Sequence, residues 1–317
     1  MTILIPATVG LTDVELVIPH TATFTGSSAI EFEDGVAIDV HPMVLCAVAA
    51  QAARLSRSGE RLALVEGASL PSRLREMGLA EHLGVNDHNR QFMPDPTGRF
   101  IPVQRVESNV EANRLVTDFV PLLHAEPKTA SAVTYVLWEL LRNVLEHAGQ
   151  AGGAYVAADL VDGRVRLGVA DAGVGVPQTI RRFHAAPTDR EAIALAFQPG
   201  ISGTTKQFGG NETNGGAGLF FMRSMCAVAG QSLVMASDGS LMRIEEREEI
   251  PDNLAEALET ATTTWLDLSA PLQGTVVGVN LVLNLSGEYE ELFKQIRGIY
   301  HARVSARKKQ ARKARFT

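Results

Sequence analysis

A proline-rich break divides the chain. Asn86-Asp87-His88-Asn89-Arg90-Gln91 is polar throughout, and Pro94, Pro96, Gly98 and Pro102 follow closely. Proline fixes φ and lacks a backbone N–H, so this combination suits a linker or a long surface loop. A chain of 317 residues is also longer than one small domain needs. The expected organisation is a smaller unit over 1–85, a linker over 86–104, a larger unit over 105–290 and a tail over 291–317.

Before the break, Val14-Glu15-Leu16-Val17-Ile18 and the stretches 29–32 and 36–38 read as strands. Pro42 opens an Ala-rich helix to about Ser58, since proline fits a first helical turn and alanine favours the interior. Gly59 ends it, 61–65 reads as a strand, and 70–77 and 80–83 read as short helices. That order predicts a small α/β layer.

After the break, helices are expected at 109–124 and 129–148. Strands at 154–160 and 165–170 follow, joined by a tight turn at Asp162-Gly163. A helix at 190–197 leads into seven glycines between Gly200 and Gly218. Next come a helix at 217–229, strands at 232–236 and 241–244, and a last strand at 274–285. Helices interleaved with hairpins predict an α+β two-layer sandwich, one sheet with helices stacked on one face.

Composition excludes several classes. Apolar residues at 45% and charged residues at 21% are ordinary globular usage and argue against a mainly disordered chain. The longest apolar run, 43–50, is too short to span a bilayer, and no basic-then-apolar leader opens the sequence. Cys46 and Cys226 lie far apart in apolar stretches, which argues against a disulfide scaffold or a zinc cluster. A cytoplasmic protein with no membrane partner is the expectation. The formal charge of −7 is uneven: from residue 292 onward there are nine Lys/Arg and no Asp/Glu, leaving −16 on the remainder. A basic tail on an acidic body attracts anionic partners such as nucleic acid. The plainer reading is a solvated terminus, and nucleic acid is not the favoured partner.

Four separated segments carry the chemistry. In the helix at 129–148, Glu139 and Asn143 lie four apart on one face. There a carboxylate can orient or deprotonate a water while an amide oxygen meets a magnesium ion. At 169–177 a strand ends in Asp171, and Gly173 and Gly175 let the backbone turn beside a ligand whose amine the carboxylate can accept. Gly215, Gly216 and Gly218 precede an apolar helix whose first N–H groups suit phosphate. Thr275 opens the last strand. Each segment alone is ordinary: a solvated helix face, a glycine turn, a loop before a helix.

Together and in this order they resemble the N, G1 and G2 boxes and the late Gly-Thr of the GHKL ATPases, over about residues 105–286. The resemblance implies a Bergerat fold that binds ATP with Mg2+. It implies Glu139 as general base and Asn143 as the magnesium ligand. Asp171 would contact adenine, Gly173 and Gly175 would shape the pocket, and Thr275 would lie on the adenine side. Gly216 and Gly218 would close over the phosphates. Residues 176–215 would be the ATP lid, in which Lys206 is the best candidate for a phosphate contact. Residues 10–85 resemble a STAS domain, the fold of anti-sigma-factor antagonists. That family's phosphorylatable Ser has no counterpart in Asp39-Val40-His41-Pro42.

Residues 86–108 are too short and proline-rich for the dimerising hairpin of a sensor histidine kinase, and only about thirty residues follow the last strand, too few for a MutL- or Hsp90-type second domain. The remaining likeness is to the anti-sigma-factor serine kinases. It implies a regulatory ATP-binding protein that hydrolyses ATP slowly or phosphorylates a protein partner of STAS or other type. A nucleotide-gated binding switch with little or no catalysis stays open, as does a homodimer.

Overall fold

The computed structural model describes residues 2–26, 28–33, 38–85, 100–124, 127–147, 152–203, 217–251, 253–281 and 289–313. The first unit contains β1 (Thr2–Ile5), β2 (Thr8–Val9), α1 (Ile18–Thr21), β3 (Ala29–Phe32), β4 (Asp39–Val40), α2 (Pro42–Arg57), β5 (Ala63–Leu64), α3 (Ser72–Glu76) and α4 (Leu79–Leu83). Its strands pair in parallel, as a three-stranded sheet in the order β1-β3-β5 and a small β2-β4 pair. The second unit runs β6 (Phe100–Val106), α5 (Asn109–Arg114), α6 (Pro127–His147), β7 (Ala154–Val161), β8 (Arg164–Asp171), α7 (Val176–Arg181), α8 (Asp189–Ala196), α9 (Gly218–Val228), β9 (Leu233–Ile244), α10 (Leu254–Thr260), β10 (Thr263–Leu281) and α11 (Tyr289–Lys313).

The second unit forms one antiparallel sheet of five strands in the order β6-β7-β8-β10-β9. The turn between β7 and β8 has Asp162 at φ 50° and Gly163 at φ 74°, the left-handed pair that a two-residue hairpin requires. Alternation along the strands splits the sheet into two faces. Val165, Leu167 and Val169 of β8, with Val277 and Val279 of β10, pack under α6, α9 and α11. Ala170 and Val276, with Tyr155 and Ala157 of β7, face the first unit and share one core with Ile3, Ile30, Met43 and Leu74. The expected sandwich is therefore present, and the first unit covers the face that it left bare.

Helix α2 makes most of that cover. His41 caps it by accepting from the Met43 N–H through Nδ1 at 3.0 Å, and Pro42 fills the first turn. His41 Nε2 meets Asn280 Oδ1 of β10 at 3.1 Å, and Cys46 Sγ donates to the Gly168 carbonyl at 3.3 Å. Both cysteines are buried and unpaired.

Five expectations need correction. Val14–Leu16 is a 3-10 turn leading into α1. Val14, Val17 and Ile18 are fully buried while Leu16 is 57% exposed, which is helical spacing. The expected linker ends early, because Phe100–Val106 is the edge strand β6. Pro102 is tolerated in a register shift between Ile101 and Gln104. Residues 86–99 of that expected linker lie outside the described residues. The two strands expected at 232–244 are one, β9, kinked at Asp238 with φ 47°. The last strand begins far earlier than expected, at Thr263. The basic tail, expected to be solvated, forms α11, whose Ile296, Tyr300 and Val304 are buried four residues apart. Tyr300 lies against Phe220 and Phe221 of α9.

Candidate functional site

A cleft opens between α6, the ends of β8 and β10, α7 and the start of α9. Asn143, Asp171, Gly175, Gly218 and Thr275 all line it.

Asp171 ends β8 and is 3% exposed. Its Oδ1 accepts from the Gly173 N–H at 2.7 Å, and the Thr275 backbone N–H also donates to the carboxyl. Burial pushes its pKa up to about 6, with those two N–H groups acting in the opposite direction. Thr275 is its cross-strand partner. Gly175 has φ 80°, and a Cβ there would stand 2.9 Å from Ser237 Oγ and 3.0 Å from Asp238 Oδ2. Only glycine fits this turn.

Ser237, which sequence reasoning missed, ties the base of the cleft together. It is fully buried on β9. Its Oγ donates to the Gly274 carbonyl at 2.7 Å, accepts from the Val176 N–H at 2.9 Å, and lies 3.3 Å from Thr275 Oγ1. One hydroxyl thus joins the turn after β8 to the start of the inner part of β10. A serine inside a strand carries no local signal of such a role.

The other end of the cleft is built by α6 and α9. The N-cap residue of α9, Ala217, makes no side-chain cap hydrogen bond, and Ala217, Gly218 and Leu219 line the cleft where the positive end of the helix dipole lies. Glu139 lies against this helix start: a Cβ at Gly218 would run into Glu139 Oε2. Burial raises the Glu139 pKa, opposed by Arg142 and reinforced by Glu146. Arg142 Nη2 donates to Glu139 Oε2. One turn from Glu139, Asn143 Nδ2 is buried with no hydrogen-bond partner. A buried orphan amide costs about 1–3 kcal/mol unless something in the cleft satisfies it.

Of the expected site residues, Asn143, Asp171, Gly175, Gly218 and Thr275 line one cleft; Glu139 lies against Gly218 and the Gly173 N–H is spent on Asp171 beside it. Lys206 and Gly216 lie outside the described residues. The expected lid opens with a helix that was not expected, α7, before the expected helix α8, and the two carry their own small core of Ile180, Ala186, Ala192, Ala196 and Ile201. Thr188 and Glu191 close a capping box at the start of α8. Ser202 and Gly203 reach the cleft wall.

Residues 129–283 match the family model of histidine kinase-, DNA gyrase B-, and HSP90-like ATPases. The match begins in the first turn of α6 and covers every cleft residue named above, so the ATPase-like region contains both ends of the site. A comparison of the chain with curated proteins finds no match. No group of three or more His, Cys, Asp or Glu side chains among the described residues could hold a metal ion. No helix among them is long and apolar enough to cross a membrane.

Proposed function

We propose that the cleft binds ATP together with Mg2+, and that the protein is a cytoplasmic regulator that uses the nucleotide slowly. The observation that carries this reading is the orphaned Asn143 amide in a cleft that also holds the buried Asp171 carboxyl and the start of α9. Asp171 suits an exocyclic amine. The α9 start suits the phosphates. Asn143 offers one neutral oxygen when its amide is turned, which suits a magnesium ion that arrives with the phosphates. Bound there, the ion would neutralise phosphate charge.

Glu139 is the group to accept a proton. As water bonds to the terminal phosphorus and the bond to the bridging oxygen breaks, the water proton passes to this carboxylate and the diphosphate departs. In phosphoryl transfer a protein hydroxyl takes the place of the water. The likeness to anti-sigma-factor kinases favours such a hydroxyl on a separate partner protein. In the STAS-like first unit, the stretch that corresponds to that family's phosphoacceptor, Asp39-Val40-His41-Pro42, has no hydroxyl, and its His41 is wholly buried against Asn280. The first unit then acts as a fixed companion of the ATPase-like region and not as its substrate.

A second reading, a nucleotide-gated switch with little catalysis, is favoured by the Glu139–Arg142 ion pair, which engages the base. Incubation with γ-labelled ATP separates the readings. Label on a partner protein supports the kinase, and free phosphate alone supports slow hydrolysis. Retention of intact ATP supports the switch. A folded protein that binds no adenine nucleotide would sink all three.

A further inference from the structure

Among the described cleft residues, Arg142 is the lone cation. It sits on α6 between Glu139 and Asn143, and its guanidinium is spent on Glu139, whose carboxylate in turn lies against the start of α9. The base therefore rests where an anionic ligand would come, held by the cation that such a ligand would attract. A triphosphate entering this end presents several oxygens, and a guanidinium matches phosphate oxygens with two parallel donors.

We infer that Arg142 is the positioning residue that senses the terminal phosphate: it holds Glu139 while the phosphate end is empty and moves to the triphosphate when ATP binds, freeing the carboxylate. This rests on the ATP reading of the cleft. The exchange needs only side-chain rotation, because Arg142 is about one-third exposed and one turn from the carboxylate it leaves. It also makes the site selective. A diphosphate leaves Arg142 on Glu139, so the base is released only when there is a bond to cleave.

The test uses the full chain and compares wild type with Arg142→Gln and Arg142→Lys. Dissociation constants for ATP and ADP are measured with magnesium, and the pH dependence of single-turnover hydrolysis is measured at saturating ATP. Arg142→Gln is expected to weaken ATP about tenfold or more while ADP changes by less than about threefold, since a hydrogen bond to a charged group is lost for one ligand only. Arg142→Lys keeps the charge without the fork and should fall between the two.

The pH profile excludes a merely structural pair. Among the described residues, the charged groups acting on Glu139 are Arg142 and Glu146 of its own helix, and α9 sets a glycine against it. If Arg142 has left Glu139 in the ATP complex, removing it leaves the acidic limb of the profile where it was. If the pair persists through turnover, its removal raises the Glu139 pKa and moves the limb to higher pH. A shifted limb, or an unchanged ATP/ADP ratio in Arg142→Gln, overturns the inference while the cleft reading stands. Wild type that binds neither nucleotide overturns both.

Discussion

Gly168 and Gly278 are cross-strand partners on β8 and β10, and together they form the slot into which the Pro42–Met43 corner of α2 descends. A Cβ at Gly168 would collide with the main chain of Pro42 and Met43. At Gly278 it would meet Met43 Sδ and Leu11 Cδ1, each at 2.6 Å, which are side-chain ends able to turn aside. Gly168→Ala is therefore expected to destabilise by about 1–3 kcal/mol and Gly278→Ala by less, because overpacking against backbone has no cheap relief. Urea unfolding of the two variants decides this. Equal losses would mean that α2 does not seat as closely as the slot implies.

Asp171 makes opposite demands on stability and on binding. Its folded pKa of about 6 lies above that of an unfolded aspartate, so between roughly pH 4 and pH 6 the native state holds the extra proton. Stability from this group is full below pH 4 and is lost as pH rises through 6, by about 3 kcal/mol in order of magnitude. Asp171→Asn should thus be more stable than wild type at pH 7 without nucleotide and equal to it near pH 4. Thermal unfolding across that range tests the point.

An adenine amine needs the carboxylate as acceptor, so wild-type ATP affinity should weaken as pH falls below 6, by up to about tenfold per unit for one linked proton. Asp171→Ala should lose adenine nucleotide binding outright. Undiminished affinity in a folded Asp171→Ala protein would refute the pocket.

Local pattern made the site legible, and long-range pairing made the rest illegible. The four-residue spacing of Glu139 and Asn143, the strand that ends at Asp171 and the glycines before α9 each write their geometry into adjacent residues. β6 was hidden because Pro102 reads as a breaker, although an edge strand with a register shift accommodates it. In α11 the eight basic residues masked Ile296, Tyr300 and Val304, whose i, i+4, i+8 spacing was there to be read. No local signal joins His41 to Asn280, 239 residues away, or Asp39 to Arg166, 127 residues away. The docking of the first unit on the sheet depends on such pairs.

Within α6 the two polar site residues should separate by function. Glu139→Ala is expected to keep ATP affinity within a few-fold and to slow hydrolysis about 10²–10⁴-fold, the usual contribution of a general base. Asn143→Ala should weaken ATP with magnesium more than ATP with a chelator, because only the first complex uses the amide oxygen. Titrations with and without metal, beside phosphate-release assays, check both. Wild-type turnover in Glu139→Ala would remove it as the base even if the cleft binds ATP.

The ion cluster between the units gives a further expected outcome. Arg166 Nε and Nη2 donate to the two oxygens of Asp159 at 2.7 and 2.6 Å, and Nη1 donates to Asp39 of the first unit at 2.6 Å. Burial works against the guanidinium charge, but Asp159 and Asp39 outweigh it and raise the Arg166 pKa above its ordinary value. Asp159 is 2% exposed, and its other cation, Arg73, stands 3.7 Å away. Arg166→Met would leave that carboxylate buried and poorly paired, a loss of about 3–5 kcal/mol. Asp39, with a side chain 49% exposed, is solvated enough that Asp39→Ala should cost about 1 kcal/mol or less. The double variant Arg166→Met with Asp159→Leu should recover most of the loss, because the unpaired charge is gone. In each variant, denaturant unfolding should stay one transition, since a single core spans both units. Two transitions in Arg166→Met would mean that this cluster, and not the apolar contact under α2, holds the units together.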